Sequence, residues 1–303
     1  MSKIDQTFLE QTVNILENGE TYVNERRKVT RLEVPKIDFK HKSSDGFPAL
    51  SLRKLYFKSI IGELIWFLRG DNHTKYLTDN KIPIWNGDAC NWYNKENGTN
   101  LTEEEFTSKI RNYSVGQNYS IQYRDYGGQL DQVKSLIDGM IKNIRSSRAI
   151  VQAYNPLEVN KTALPPCHTG YQTVGTNDGF WLSFNMRSWD WFLGAPFNIA
   201  SYHVLGEIFS LITKIPFLGV LATGHCVHLY ENQIEAAKEL VKIDVYKHGK
   251  CELVISDKVK ALCKHYDGDL DYIFNNMNIE DFKLVNYTHD KEIRVKMTAP
   301  ISI

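Results

Sequence analysis

The run Ala163-Leu164-Pro165-Pro166-Cys167-His168-Thr169-Gly170 places a thiol directly after two prolines and directly before an imidazole. Prolines restrict the backbone, and a restricted backbone is what a positioned nucleophile needs, since a displacement of about 1 Å costs roughly 100-fold in rate. The reactive form is the thiolate, so a site built on Cys167 has to lower a free pKa of about 8.5, usually with a nearby cation. Arg187 is the candidate cation; the plain alternative is a solvated arginine on an exposed strand. A Cys–His hydrolase could be assembled from Cys167 with His168 or His225, but neighbours on a strand point apart, which weakens the pair with His168. Glu63 stands between Ile61 and Leu64 in an otherwise apolar helical stretch. A carboxylate there either pairs structurally or is functional.

These groups need a scaffold, and the sequence outlines one. Residues 5–18 have helical spacing, and 52–69 make a second helix with Leu55, Ile60, Leu64, Ile65 and Leu68 on one face and Gly70 at its end. The polar stretch from Lys95 to Ser108 reads as a surface insertion. Leu130 to Ile144 forms an amphipathic helix, and Ala149 to Tyr154, bounded by Asn155-Pro156, forms a short strand. Gly170–Val174 and Phe180–Arg187 flank Thr176-Asn177-Asp178-Gly179, a turn signal, and so predict a hairpin. In its second strand Leu182, Phe184 and Met186 share one face while Ser183, Asn185 and Arg187 share the other. Residues 197–213 are apolar nearly all round, which predicts a buried helix. No repeat, low-complexity tract or linker divides the 303 residues, so a single α+β domain spanning 1–303, with mixed elements around one twisted sheet, is the simplest organisation.

Composition narrows the class. Lys plus Arg and Asp plus Glu number 36 each, so there is no basic footprint for nucleic acid or an anionic membrane. The five cysteines (90, 167, 226, 251 and 263) are odd in number and form no C-x-x-C pair, which argues against a disulfide framework or a metal site and for a reducing compartment. No signal-peptide core and no apolar run of 18 residues occurs. The expectation is a soluble, cytoplasmic protein.

Further blocks recur in a fixed order: Gly62-Glu63-Leu64-Ile65-Trp66-Phe67-Leu68, the Pro-Pro-Cys-His run, Arg187-Ser188, Asp190, Phe192-Leu193-Gly194, Pro196-Phe197-Asn198-Ile199-Ala200-Ser201-Tyr202 and His228-Leu229-Tyr230. With these blocks over most of its length, the chain resembles the thymidylate synthase superfamily. The resemblance implies a mixed sheet with flanking helices, one sheet face forming a homodimer interface, and active sites shared between subunits. It also implies Cys167 as nucleophile and Arg187 contacting both nucleotide phosphate and sulfur, with Ser188 as a further phosphate ligand. Asn198 would read the base, donating to O4 and accepting from N3–H of uracil, where members acting on cytosine carry aspartate. His228 and Tyr230 would hold the sugar 3′-hydroxyl. Glu63 would order water and shuttle protons, and Tyr119 would help remove the C5 proton. On the 5,10-methylenetetrahydrofolate side, Asp190 would bond the pterin, Trp85, Leu193, Gly194 and Phe197 would form apolar walls, and Arg53 would stand near the glutamate tail. The closing tail would end at Ile303.

Four departures from the family pattern bear on the reaction. The arginine–glycine phosphate loop is replaced by Arg26-Arg27-Lys28-Val29-Thr30-Arg31, in which Arg26 aligns best. The paired arginines that reach across a dimer are reduced to Ser147-Arg148, with Arg145 or Arg27 as candidate replacements. Met186 replaces the glutamine before Arg187, and Gln117-Asn118 replaces Pro-Val before Tyr119. The last two resemble the phage deoxycytidylate hydroxymethylases, which finish with water in place of hydride; such an enzyme would work in a host cytoplasm. Reductive methylation of dUMP is the leading expectation. Hydroxymethylation of dUMP, or less readily dCMP, is the alternative. A silent nucleotide- or RNA-binding homologue is the remote one.

Overall fold

The computed structural model describes residues 3–24, 29–243 and 248–290. Its framework is a mixed sheet built largely from long-range pairing. Helix α1 (Lys3–Asn18) leads into the antiparallel strands β1 (Glu20–Asn24) and β2 (Val29–Lys42). A helical region follows: α2 (Phe57–Leu68), α3 (Lys75–Asp79), α4 (Asn86–Asn97), α5 (Glu103–Lys109), α6 (Tyr119–Arg124) and α7 (Gln132–Lys142). Then come β3 (Ile150–Gln152), β4 (His168–Gly175), β5 (Phe180–Met186), β6 (Trp189–Asp190), α8 (Gly194–Thr213) and β7 (Phe217–Tyr230). Helix α9 (Glu231–Leu240), strand β8 (Glu252–Ile255), helices α10 (Asp257–Lys264) and α11 (Leu270–Asn275), and strand β9 (Phe282–Val285) complete the described chain.

The main sheet runs β1-β2-β7-β5-β4-β3, with β6 also on β7. β5 and β6 run parallel to β7 and the other pairs are antiparallel. This mixed sheet flanked by helices is the expected α+β class. One face is apolar and covered. Val34, Ile37 and Phe39, Leu182 and Phe184, and Val220, Ala222 and Val227 turn inward, and α8, with 13 buried residues, lies across them.

The hairpin is as expected: β4 and β5 pair with Gly175 opposite Phe180, and Thr176 N–H closes the turn on the Gly179 carbonyl at 2.7 Å. Two elements differ from the sequence reading, and a third, the expected surface stretch 95–108, is exposed at most positions but carries helix. The second helix begins at Phe57, not residue 52. Residues 50–55 are instead pinned as a loop, with the Tyr287 hydroxyl accepting from Leu55 N–H and donating to the Leu50 carbonyl, and Asp5 accepting from Ser51. Residues 95–108 are the last turn of α4 and most of α5, whose start is capped reciprocally by Thr102 and Glu105. Phe106 in this stretch is fully buried, edge-on to Tyr113 and tilted on Tyr93. The strand expected over 149–154 is only Ile150–Gln152, because Ala153 and Tyr154 N–H both turn to the Thr169 carbonyl.

Candidate active site

Cys167 sits at the entry to β4, partly buried, and two sets of contacts hold its backbone. The Tyr119 hydroxyl, at the start of α6, accepts from Cys167 N–H at 2.7 Å and from His168 N–H at 3.4 Å. From the other side, Arg187 Nε donates to the Pro166 carbonyl at 2.8 Å and a terminal nitrogen donates to the Pro165 carbonyl at 3.1 Å, while Arg187 N–H bonds the Cys167 carbonyl at 2.9 Å. A guanidinium thus forks onto two consecutive proline carbonyls. The remainder of this group is exposed, so it can meet an anion.

His168 and Asn198 form the floor. Trp189 Nε1 can only donate, and it bonds Asn198 Oδ1 at 3.1 Å, which fixes the amide orientation. Asn198 Nδ2 therefore donates to His168 Nε2 at 3.1 Å, and the imidazole proton lies on Nδ1, against the Tyr202 hydroxyl at 2.9 Å. Burial pushes His168 down to about 4, so the ring is neutral. His168 is accordingly a link in a polar chain that runs through Tyr202 to Tyr123 at 3.4 Å. Asn198 keeps one N–H and one acceptor lone pair beyond these two bonds.

Glu63 accepts from Trp85 Nε1 at 2.7 Å, and desolvation, opposed by that bond, raises its carboxyl to about 7. Trp85 packs edge-on to Trp66, Phe67 and Tyr119. Burial, reinforced by the Cys167 sulfur and Tyr123, raises the Tyr119 phenol well above its ordinary value.

The end of β7 supplies the next group. Cys226 adopts a left-handed conformation, φ 45°, that turns its carbonyl to His228 Nδ1 at 2.7 Å. A carbonyl can only accept, so Nε2 is the lone-pair nitrogen. It is buried and has no hydrogen-bond partner among the described residues. Tyr230 packs edge-on to the same ring with centroids 4.7 Å apart. Burial lowers the His228 pKa, and nearby Asp190 opposes the shift. An orphaned buried acceptor of this kind suits a ligand hydroxyl.

On β6, Asp190 lies opposite His228 and accepts from Leu193 N–H at 3.0 Å. A Cβ on Gly194 would stand 3.4 Å from Asp190 Cβ and 3.6 Å from Asn198 Oδ1, so Gly194 fills the gap between these two groups. Arg53, buried, donates to the Phe192 carbonyl and packs 5.3 Å from that ring. Desolvation lowers its pKa and Asp190 opposes the shift. Leu193 and Phe197 are partly buried at this edge.

A family model described as thymidylate synthase matches residues 6–299. The chain is 32% identical to thymidylate synthase of Mycoplasma mobile over 308 aligned positions, covering 96% of this chain and 99% of that one. It is 33% identical to that of Mycoplasma pneumoniae over 298, covering 95% and 98%. With that of Mesoplasma florum it shares 35% over 246, covering 78% and 84%. The chain belongs to the thymidylate synthase family. It is a one-carbon transferase.

Seen as a thymidylate synthase family site, the structure links Cys167, Arg187, Tyr119, His168 and Asn198 by hydrogen bonds and pairs Asp190 with His228, whose ring packs on Tyr230; Gly194 lies beside Asp190 and Asn198, Arg53 is close enough to Asp190 to feel its charge, and Glu63 and Trp85 stand behind Tyr119. Ser188, partly buried, follows Arg187. Arg26, Arg27 and Ile303 lie outside the described residues. Arg148 is not brought to this group: it precedes β3, whose Ile150 pairs with Gln172, and it is exposed. The length of β4 puts it roughly 20 Å from Cys167. Arg145 is bonded to Asn177 Oδ1 at 2.7 Å, in the hairpin turn. Asn118 is fully buried as the N-cap of α6, accepting from Ser120 Oγ at 2.6 Å.

Three neighbours escaped the sequence reading. Arg31, opposite Tyr230 on β2, ion-pairs with Glu33 at 2.6 Å, and Glu33 lies opposite His228. Gln233 bridges Asp190 and Tyr230. Only the short spacing of Gln233 from Tyr230 was visible in the sequence, as the N3 position of a helix start.

Proposed function

We propose that this chain methylates dUMP to dTMP with 5,10-methylenetetrahydrofolate, through a covalent bond between Cys167 and C6 of the pyrimidine. The observation that carries this reading is the set of groups converging on Cys167: a sulfur on a loop clamped by Tyr119 and Arg187, beside an amide of fixed polarity at Asn198. The spare acceptor and donor of Asn198 match N3–H and O4 of uracil. The lone pair on His228 Nε2 suits the sugar hydroxyl, and the free edge of Arg187, with Ser188, suits the phosphate. Addition of the thiolate to C6 turns C5 into a carbon nucleophile, which splits one hard substitution into easier steps. The folate, when bound, supplies the one-carbon unit and then the hydride. Tyr119 accepts from two backbone N–H groups, which leaves its own O–H as the group with a proton to pass on. A phenol with a raised pKa serves as a relay to water for the C5 proton, and Glu63, near 7, can give or take a proton in that relay.

Hydride rather than water as the finishing group is supported by the aromatic wall of Trp66, Phe67, Trp85 and Tyr119, which is buried and packed next to the relay. Asn118, a departure that resembled the hydroxymethylases, spends its side-chain oxygen on the cap of α6. Met186, the other, is buried. The test follows the cosubstrate, because only hydride transfer oxidises it. With dUMP and methylenetetrahydrofolate, dihydrofolate should accumulate in step with dTMP. Stoichiometric product that has gained one carbon, two hydrogens and one oxygen (CH2O), with tetrahydrofolate released and no dihydrofolate, would establish hydroxymethylation instead.

We further propose a homodimer in which Arg148 reaches the partner's nucleotide phosphate. The supports are its exposure, its distance from its own Cys167 and the uncovered face of the sheet on which β3 lies.

A further inference from the structure

The folate-side carboxylate Asp190 does not stand alone in the structure. Gln233, the third residue of α9 and 1% exposed, directs Nε2 at both its oxygens, 3.3 Å from Oδ1 and 3.2 Å from Oδ2. Its Oε1 accepts from Tyr230 N–H at 3.0 Å. A backbone N–H can only donate, so the amide cannot be reversed. Nε2 must donate to Asp190. Leu193 N–H and Gln233 thus both donate to Asp190, and Arg53 lies close enough to feel its charge. The same glutamine is tied to the residue that ends β7, where Tyr230 and His228 meet the sugar in the reading above.

We propose that Gln233 is a positioning residue: it aims the Asp190 carboxylate at the pterin of the reduced folate and links that aim to occupancy of the nucleotide pocket at Tyr230. This inference rests on the proposed function, since it takes the pterin as the ligand of Asp190. A charged acceptor held by two donors has a fixed orientation, and an oriented carboxylate binds a planar donor pair without reorganising. A nucleotide that orders Tyr230 orders the Gln233 acceptor bond as well. Folate then meets a carboxylate already set, and the coupling must be reciprocal.

The experiment measures binding of tetrahydrofolate to the full-length protein by calorimetry, with and without dUMP, together with steady-state kinetics. In wild type, dUMP should tighten folate binding. Gln233→Leu keeps the volume and removes both bonds. It should weaken folate binding about tenfold and largely abolish its dependence on dUMP, while the affinity for dUMP alone stays within about twofold. Gln233→Glu is isosteric and sets a second carboxylate against Asp190, and such a pair shares a proton as pH falls. Its folate KM should be raised strongly at pH 8 and recover toward wild type near pH 6, a pH dependence that loss of packing alone would not produce. Variants that bind folate as wild type does, with dUMP coupling intact, would overturn the role of Gln233 and leave the proposed function standing. A wild-type protein that binds no reduced folate would overturn both.

Discussion

Glu63 is buried against an indole and not against a cation, and that choice decides when it carries charge. The Trp85 N–H offers one bond where water would offer several, so the carboxyl rises to about 7. The sign of the stability effect follows. Below pH 4.5 the group is protonated in both folded and unfolded chains, and nothing is lost. Between 4.5 and 7 the unfolded chain releases its proton and the folded chain keeps it, so stability falls as pH rises. Above 7 the penalty levels off at up to about 3 kcal/mol. Glu63→Gln is neutral throughout and keeps an oxygen for Trp85. It should therefore match wild type in thermal stability near pH 4.5 and exceed it increasingly up to pH 8, while turnover drops because no proton can be exchanged there. A stability difference independent of pH would refute the assignment. The carboxylate was legible in the sequence as a charge in an apolar helix; its indole partner, 22 positions away, was not. Asn198 is similar. Its type suggested base reading, but the polarity of its amide depends on Trp189, and only the folded chain brings that donor to it.

At the scale of elements, the site is held by the parallel pairing of short β6 with long β7. Trp189 can lie flat against β7 because Gly224 has no side chain: a Cβ there would stand 2.1 Å from the indole ring. Gly224→Ala should push Trp189 off the strand at a cost of about 1–3 kcal/mol. Asn198 loses its fixed orientation in the process. Lowered Tm together with a fall in kcat/KM for dUMP, read by denaturation and initial rates, is the expected outcome; unchanged values of both would show that the strand does not hold the indole. Periodicity revealed the elements that pack locally, such as the β4–β5 hairpin with its inward Leu182 and Phe184 and the buried α8. It failed where tertiary contacts overrode local pattern. Residues 52–56 carry apolar spacing fit for a helix, yet Tyr287 on Leu55 and Asp5 on Ser51 hold this part of the chain as a loop. In the stretch that reads as polar surface, the Thr102–Glu105 pair was a helix-start signal outweighed by composition, and Phe106 anchors it in the core.

At the scale of the whole molecule, the sheet is one-sided. The face opposite α8 presents Ile150, Gln172, Val174, Trp181, Ser183, Leu221 and Thr223, with Lys40 over the Trp181 ring at 4.5 Å and Asp38 bonded to Lys36 and Thr223. In the proposed homodimer this mixed face would meet a two-fold copy of itself, with Asp38 already bonded to Lys36 and Thr223 and Lys40 set over an indole ring. The proposed two-fold geometry gives Arg148 a destination. Its own Cys167 lies far along β4, so in that proposal its phosphate contact is in the other subunit. Complementation tests this directly. Cys167→Ser removes the nucleophile and Arg148→Ala removes the reaching cation, and each homodimer should be inactive or severely impaired. A mixed dimer contains one site with both changes and one with neither. Random exchange of subunits at equal concentration should therefore restore about a quarter of the wild-type activity per subunit, since half the dimers are mixed and each has one intact site. Two folded parents that exchange subunits without regaining activity would show that Arg148 serves no neighbouring site, and a fully active monomer in sedimentation would remove the dimer altogether.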